Sequence, residues 1–157
     1  MNTADKNVSK YLDLLKSYNT HTNIYSSQAY HHLPFHVKNC QLLAELIGKK
    51  PQVIVDMGSG SGLPSIILSI YLPQSTIIAI ESKSRKTRFL NQVKNTLKLS
   101  NLSIFTKDIN DVIRSKQLDA NIITAKAFAP YPKVIELSKK LVLSTAVLFI
   151  PMSKKQY

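Results

Sequence analysis

Hydrophobic positions follow one rhythm in the first third of the chain and another in the rest. Val8, Tyr11, Leu12, Leu15 and Tyr18 recur at helical spacing, which predicts one apolar stripe on a helix over residues 6–18. Tyr18 to Asn23 interrupts it with cap and turn formers. A second helical pattern runs from about Ser27 to Ile47, with Pro34 as a break or a start. Its inner face is Val37, Cys40, Leu43, Ala44 and Ile47, and Gly48-Lys49-Lys50-Pro51 closes it. Beyond Pro51 short apolar runs predict five buried strands: Val53–Val55, Ser75–Ile80, Leu102–Phe105, Asp119–Ala125 and Leu143–Ile150. Helical patterns lie between them at Ile66–Tyr71, Ser82–Leu99 and Pro132–Lys140. Phe89, Leu90, Val93 and Leu97 face inward in the second, and Val134, Ile135 and Leu137 or Leu141 in the third. Such alternation predicts an α/β fold with a parallel sheet in the order 3-2-1-4-5 and helices on both faces. Residues 1–157 read as a single domain, with a helical section at 1–50 and the sheet core at 51–157.

The stretch from Val53 to Ser65 carries the most chemistry. It reads Val-Ile-Val-Asp-Met-Gly-Ser-Gly-Ser-Gly-Leu-Pro-Ser, a strand running into a glycine turn and a helix. Glycines there permit positive φ and a close approach of backbone to ligand. Pro64 suits the first turn of the helix. A dinucleotide fingerprint would want a third glycine where Leu63 stands. The pattern here, Asp56 followed by Gly58, Gly60 and Gly62, resembles instead motif I of class I S-adenosylmethionine (SAM) methyltransferases. That resemblance implies a Rossmann-like SAM-binding core with S-adenosyl-L-methionine as cofactor. Glu81 ends the second strand about 20 residues beyond the turn. An acid at that place accepts hydrogen bonds from both ribose hydroxyls of a nucleoside. The turn after the third strand is where such enzymes read adenine. Asp108, Asn110 and Asp111 are its polar candidates and Ile109 the apolar one.

Charge adds a partner. The formal net charge is +12, with 21 basic residues against 9 acidic ones, which favours a polyanion and first of all nucleic acid. The densest cluster, Lys83, Arg85, Lys86 and Arg88, opens the helix after Glu81. It reads either as a phosphate-contacting patch or as a solvated helix face. The single cysteine, Cys40, fits a reducing compartment, and the polar N-terminus is unlike a secretory signal. No apolar run is long enough to span a membrane, so a cytoplasmic protein without a membrane partner is expected. A monomer is favoured.

The order of motifs resembles the RsmG (GidB) family of small-subunit ribosomal RNA guanine-N7 methyltransferases. Carrying the resemblance are Tyr18-Asn19 with Asn23-Ile24, His36 to Cys40, Asp56 to Pro64, Glu81-Ser82 with Lys86 to Leu90, and Thr124 to Ala129. By position it implies that Gly58 and Leu63 line the methionine side of the SAM site and that Ile109 and Asn110 sit by the adenine. Lys126 takes the place of a motif arginine bordering the same site, and His36 stands near the active-site mouth. It implies small-subunit ribosomal RNA as partner. Departures from the family pattern are Lys126 for arginine, Asn110 for glutamate, Asn39-Cys40 for Asp-Ser, Ser65 for glycine and Tyr18 for tryptophan. The chain ends after the fifth strand, where the family continues with a further strand pair.

Guanine N7 already carries an exposed lone pair, so the chemistry asks for orientation and a dry site rather than a general base. No dedicated catalytic residue is expected, with His36 the one candidate. The four histidines, His21, His31, His32 and His36, have no cysteine or acid at a familiar ligand spacing, and no metal is expected. Two alternatives stand beside the RNA methyltransferase. One is a SAM methyltransferase acting on a small molecule or protein. The other is a degenerate SAM fold that binds RNA or a partner without turnover, which the changes at 110 and 126 favour.

Overall fold

The computed structural model describes residues 2–151. The elements are α1 (Thr3–Asn19), a 3-10 helix (Ser27–His32), α2 (Leu33–Ile47), β1 (Val53–Met57), α3 (Ser65–Tyr71), β2 (Thr76–Glu81), α4 (Ser84–Leu97), β3 (Leu102–Thr106), α5 (Ile109–Ser115), β4 (Ile122–Thr124), α6 (Tyr131–Leu141) and β5 (Val147–Phe149). The five strands form one sheet in the order β3-β2-β1-β4-β5, and every pairing is parallel. The strand rhythm therefore predicts the topology correctly. No helix among the described residues is long and apolar enough to cross a membrane.

Successive side chains of a strand point to opposite faces, so each inner strand feeds two cores. Ile54, Ile77 and Ile122 join α1, α2, α3 and α4 on one face. Val55, Ile80 and Ile123 join α5 and α6 on the other. Strands buried on both faces read as continuous apolar runs, which is how they show in the sequence. The N-terminal helices lie in the first core, where Tyr11 and Leu15 are fully buried.

Several boundaries differ from expectation. Pro34 starts α2 at its first turn rather than breaking it, and the 3-10 helix occupies the segment before it. Pro64 caps α3 from outside the helix instead of entering its first turn. The fourth and fifth strands are three residues each. Asn121 precedes the fourth: its backbone still bonds to Val53 and Val147, and its side-chain oxygen accepts the Val53 N–H at 2.8 Å. Leu143 leaves the fifth because its N–H turns to the Leu118 carbonyl at 3.0 Å. In α6 the buried face is Val134, Leu137 and Leu141, while Ile135 is exposed. The segment expected as a turn after β3 winds into α5, because Asp108 caps it by accepting the Asn110 N–H at 2.8 Å.

Candidate functional site

The turns at the carboxyl ends of β1, β2 and β3 meet on one side of the sheet. In the first, the N–H groups of Gly58 and Ser59 both donate to the Ile80 carbonyl, at 2.9 and 3.0 Å. That pair ties the glycine turn to the end of β2. Glu81, only 6 % exposed, completes the tie. Its Oε2 accepts the Gly60 N–H at 2.9 Å and its Oε1 the Lys83 N–H at 2.8 Å. Each carboxylate oxygen has a second lone pair, so Glu81 braces the turn and keeps acceptor capacity for two further donors. Gly58 has φ +69°, and a Cβ there would run into the Phe128 ring. Glycine is required at that point by both backbone and space. Gly62, at φ +98°, is needed for another reason: a Cβ there would strike Ile66 and approach Leu90 in the core.

A cavity of about 200 Å³ opens beside this turn, lined by Gly58, Glu81, Ile109, Lys83, Lys86 and Lys107 among others. Ala127 and Phe128 close one side. The same two residues also line a groove of about 950 Å³, with Phe35, His36, Asn39, Lys126 and Tyr131. Phe128 thus stands between two hollows. Ala127 holds φ +51°, a left-handed conformation that costs a non-glycine residue about 1–2 kcal/mol.

Not all the site residues expected from sequence share these spaces. Gly58, Glu81, Ile109, Lys83 and Lys86 come together in the smaller one, and His36 and Lys126 in the larger. Asp56, Gly60, Gly62 and Leu63 line neither. Asp56 and Leu63 are buried behind the wall, at 1 % and 6 % exposure. Gly60 instead gives its N–H to Glu81, and Gly62 packs against α3 and α4. Asn110 is spent on Asp108, to which both its backbone and side-chain N–H groups donate. Arg85 and Arg88 are exposed and line neither space.

Asp56 Oδ1 accepts the Thr124 hydroxyl at 2.9 Å. Burial raises the acid above the usual carboxylate range, opposed by the Ser59 and Thr124 hydroxyls. Its Oδ2 and the buried Ser65 hydroxyl form no hydrogen bond of good geometry, but Ser65 lies close enough to oppose the rise as well. In the groove, His36 Nδ1 lies 2.8 Å from the Tyr25 hydroxyl. Burial lowers the His36 pKa, and the Lys126 and His32 charges lower it further. Imidazole is therefore neutral there at neutral pH. Burial pushes the Cys40 thiol up to about 12, so it offers no thiolate nucleophile. Among the described residues no group of three histidines, cysteines or acids is placed to hold a metal.

Four features escape the sequence. The Tyr11 hydroxyl, fully buried, donates to the Ser61 carbonyl at 2.9 Å, so α1 pins the glycine turn from behind. Tyr18 donates to the Arg85 carbonyl at 3.1 Å and pins the start of α4. Phe128 and Lys107 are the other two: Phe128 lies in the Thr124 to Ala129 segment that carries the resemblance but has no role assigned there, and nothing local singles out Lys107.

The family model described as GidB, rRNA small subunit methyltransferase G, matches residues 4–156. The chain belongs to the GidB family. Curated GidB relatives named ribosomal RNA small subunit methyltransferase G include one from Thermobifida fusca, 40% identical over 100 residues, covering 64% of this chain and 41% of that protein. Another, from Corynebacterium glutamicum strain R, is 34% identical over 108 residues, covering 68% of this chain and 48% of the relative. The chain thus spans about half the length of the curated relatives it matches. Among solved structures, a Geobacter sulfurreducens methyltransferase aligns with a TM-score of 0.63 at 19% identity, covering 96% of this chain and 71% of that one. TYW2 from M. jannaschii, in complex with AdoMet, aligns with a TM-score of 0.62 at 20% identity, covering 76% and 54%. These likenesses establish the class I methyltransferase fold for this GidB chain.

Proposed function

We propose that this chain is a SAM-dependent methyltransferase that modifies N7 of a guanine in small-subunit ribosomal RNA. The observation that carries the reading is Glu81, which braces the glycine turn while lining a cavity with Gly58 and Ile109. The names borne by the GidB relatives support the substrate, and the +12 charge supports a polyanion.

The residues present fit the cofactor. Glu81 keeps two acceptor sites suited to ribose hydroxyls, Ile109 offers an apolar face to adenine, and Gly58 lets backbone approach the ligand. Bound SAM supplies an electrophilic methyl group on a sulfonium. The groove beyond Phe128 is large enough for a nucleobase and presents Phe35 and Tyr131 to it, 64% and 52% exposed. Guanine N7 would bond to the methyl carbon as the carbon–sulfur bond breaks and S-adenosylhomocysteine leaves with that electron pair, and no proton has to leave first. The base gains a positive charge in that step. A neutral His36 in the groove adds no cation to oppose it, and Lys126 suits the backbone phosphate of the same nucleotide.

Calorimetric titration with SAM and its product S-adenosylhomocysteine tests the reading. Glu81→Ala removes two ribose acceptors and should weaken binding by about 1.5–3 kcal/mol, the range for hydrogen bonds to a charged group. Small-subunit RNA incubated with protein and SAM should then carry N7-methylguanine. A protein that binds neither compound, or a Glu81→Ala variant that binds like the parent, would overturn the assignment.

A further inference from the structure

Three lysines rim the smaller cavity: Lys83 at the N-cap of α4, Lys86 within its first turn and Lys107 just past β3. Two segments distant in sequence bring these charges to one mouth. Two acids, Glu81 and Asp108, line the same cavity, so the lysines outnumber them by one, and both acids are already hydrogen-bonded to backbone. Glu81 takes two backbone N–H groups, and Asp108 takes two from Asn110. Among the described residues the ion pairs are Arg114–Asp111, Lys133–Glu136 and Lys140–Glu136, so none of the three rim lysines is in one. The N-terminus of α4 adds the positive end of its dipole. A SAM molecule carries one net positive charge, which a lining of three lysines and two acids does not favour. The rim therefore suits something the cofactor does not supply.

We propose that Lys83, Lys86 and Lys107 form a phosphate subsite at the mouth of the cavity, for a phosphate borne by a nucleotide or by a polynucleotide crossing it. The inference rests on the cavity being a nucleoside site. It divides the basic cluster seen in the sequence. Lys83 and Lys86 turn to the cavity with Lys107, whereas Arg85 and Arg88 stay outside it.

Calorimetry with adenosine, adenosine 3′- and 5′-monophosphates and S-adenosylhomocysteine tests the subsite. One monophosphate should bind about tenfold more tightly than adenosine, as one charge-assisted contact allows. K83Q/K86Q/K107Q should abolish that gain and leave adenosine unchanged. K94Q/K98Q/K116Q, with the same loss of charge elsewhere, should keep it. A second arm measures a short RNA on protein saturated with S-adenosylhomocysteine. Weaker RNA binding by the rim variant makes the polynucleotide the source; an unchanged RNA affinity beside a lost monophosphate gain makes it a free nucleotide. Equal binding of adenosine and both monophosphates, with RNA indifferent to the rim variant, overturns the subsite. So does a rim variant that weakens S-adenosylhomocysteine but neither monophosphate, since the lysines would then hold the ligand's own carboxylate. Failure of the parent to bind adenosine and S-adenosylhomocysteine at all would instead defeat the nucleoside reading, and the subsite with it.

Discussion

The cavity beside Glu81 draws on the ends of β1, β2 and β3 and is closed by the turn after β4, whereas the groove beside His36 draws on α2, that same turn, the start of α6 and residues just past β5. Around the cavity, backbone groups are tied to one another: Gly58 and Ser59 to Ile80, Gly60 and Lys83 to Glu81, and Ser61 to Tyr11. Around the groove, the large side chains Phe35 and Tyr131 are exposed, and the strands that frame it are three residues long. The first region is held in shape before a ligand arrives. The second presents surface that a ligand would order. A cofactor common to many enzymes suits the rigid side, and a substrate-specific contact suits the other. Phe128 is the one side chain both regions share with the glycine turn.

Breaking the rigid side should have the largest effect. Gly58→Ala forces alanine to φ +69° and drives its Cβ into Phe128. The backbone part alone costs about 1–2 kcal/mol, and the clash adds to it. Denaturant unfolding should register both, and calorimetry should find S-adenosylhomocysteine binding lost. Adding Phe128→Ala separates the two parts, because it relieves the clash and leaves the φ strain. A double variant no better than the single one would show that Phe128 does not press on the turn.

Loosening the same side from behind should cost less. Tyr11→Phe removes one hydroxyl and leaves the Ser61 carbonyl without its donor. The expected loss is about 1–2 kcal/mol of stability, together with weaker S-adenosylhomocysteine binding. A stable variant with intact binding would make α1 mere packing.

The groove responds to pH, and there the effect should be smallest. His36 has a lowered pKa in the folded protein, so the unfolded chain takes up its proton first. The linked stability is fully present above the unfolded value of about 6.5. It is lost as pH falls from there toward the folded value, and levels off below it. His36→Gln should remove that component, read as the difference between variant and parent melts across the series. Identical slopes in the two proteins would leave His36 without a perturbed environment.

Much of the rigid side was legible in the sequence because its parts are local. Asp56 to Pro64 forms one continuous turn, and Glu81 and Ile109 each follow a strand run directly. Assigning each residue a place at the ligand was harder. Asp56, Gly62 and Leu63 belong to the same motif yet line neither hollow, because Asp56 and Leu63 are buried and Gly62 packs against Ile66 and Leu90. Asn110 fell to a cap made by its neighbour Asp108, a competition that a single-residue match does not register.

By itself the sequence determined the order and direction of the strands, the glycine turn and the acid, Glu81, that ends the second strand. Each of these follows from short-range pattern: period, burial on two faces and backbone conformations that only glycine adopts readily. Tertiary structure alone decided which cations face the cavity, that Tyr11 braces the turn and that Phe128 divides the two hollows. Lys107 lies 21 residues from Lys86, and Tyr11 lies 50 from Ser61. No pattern of spacing encodes such meetings. They arise because parallel pairing brings successive strand ends to one edge and because the α1 stripe has only that face of the core on which to bury itself.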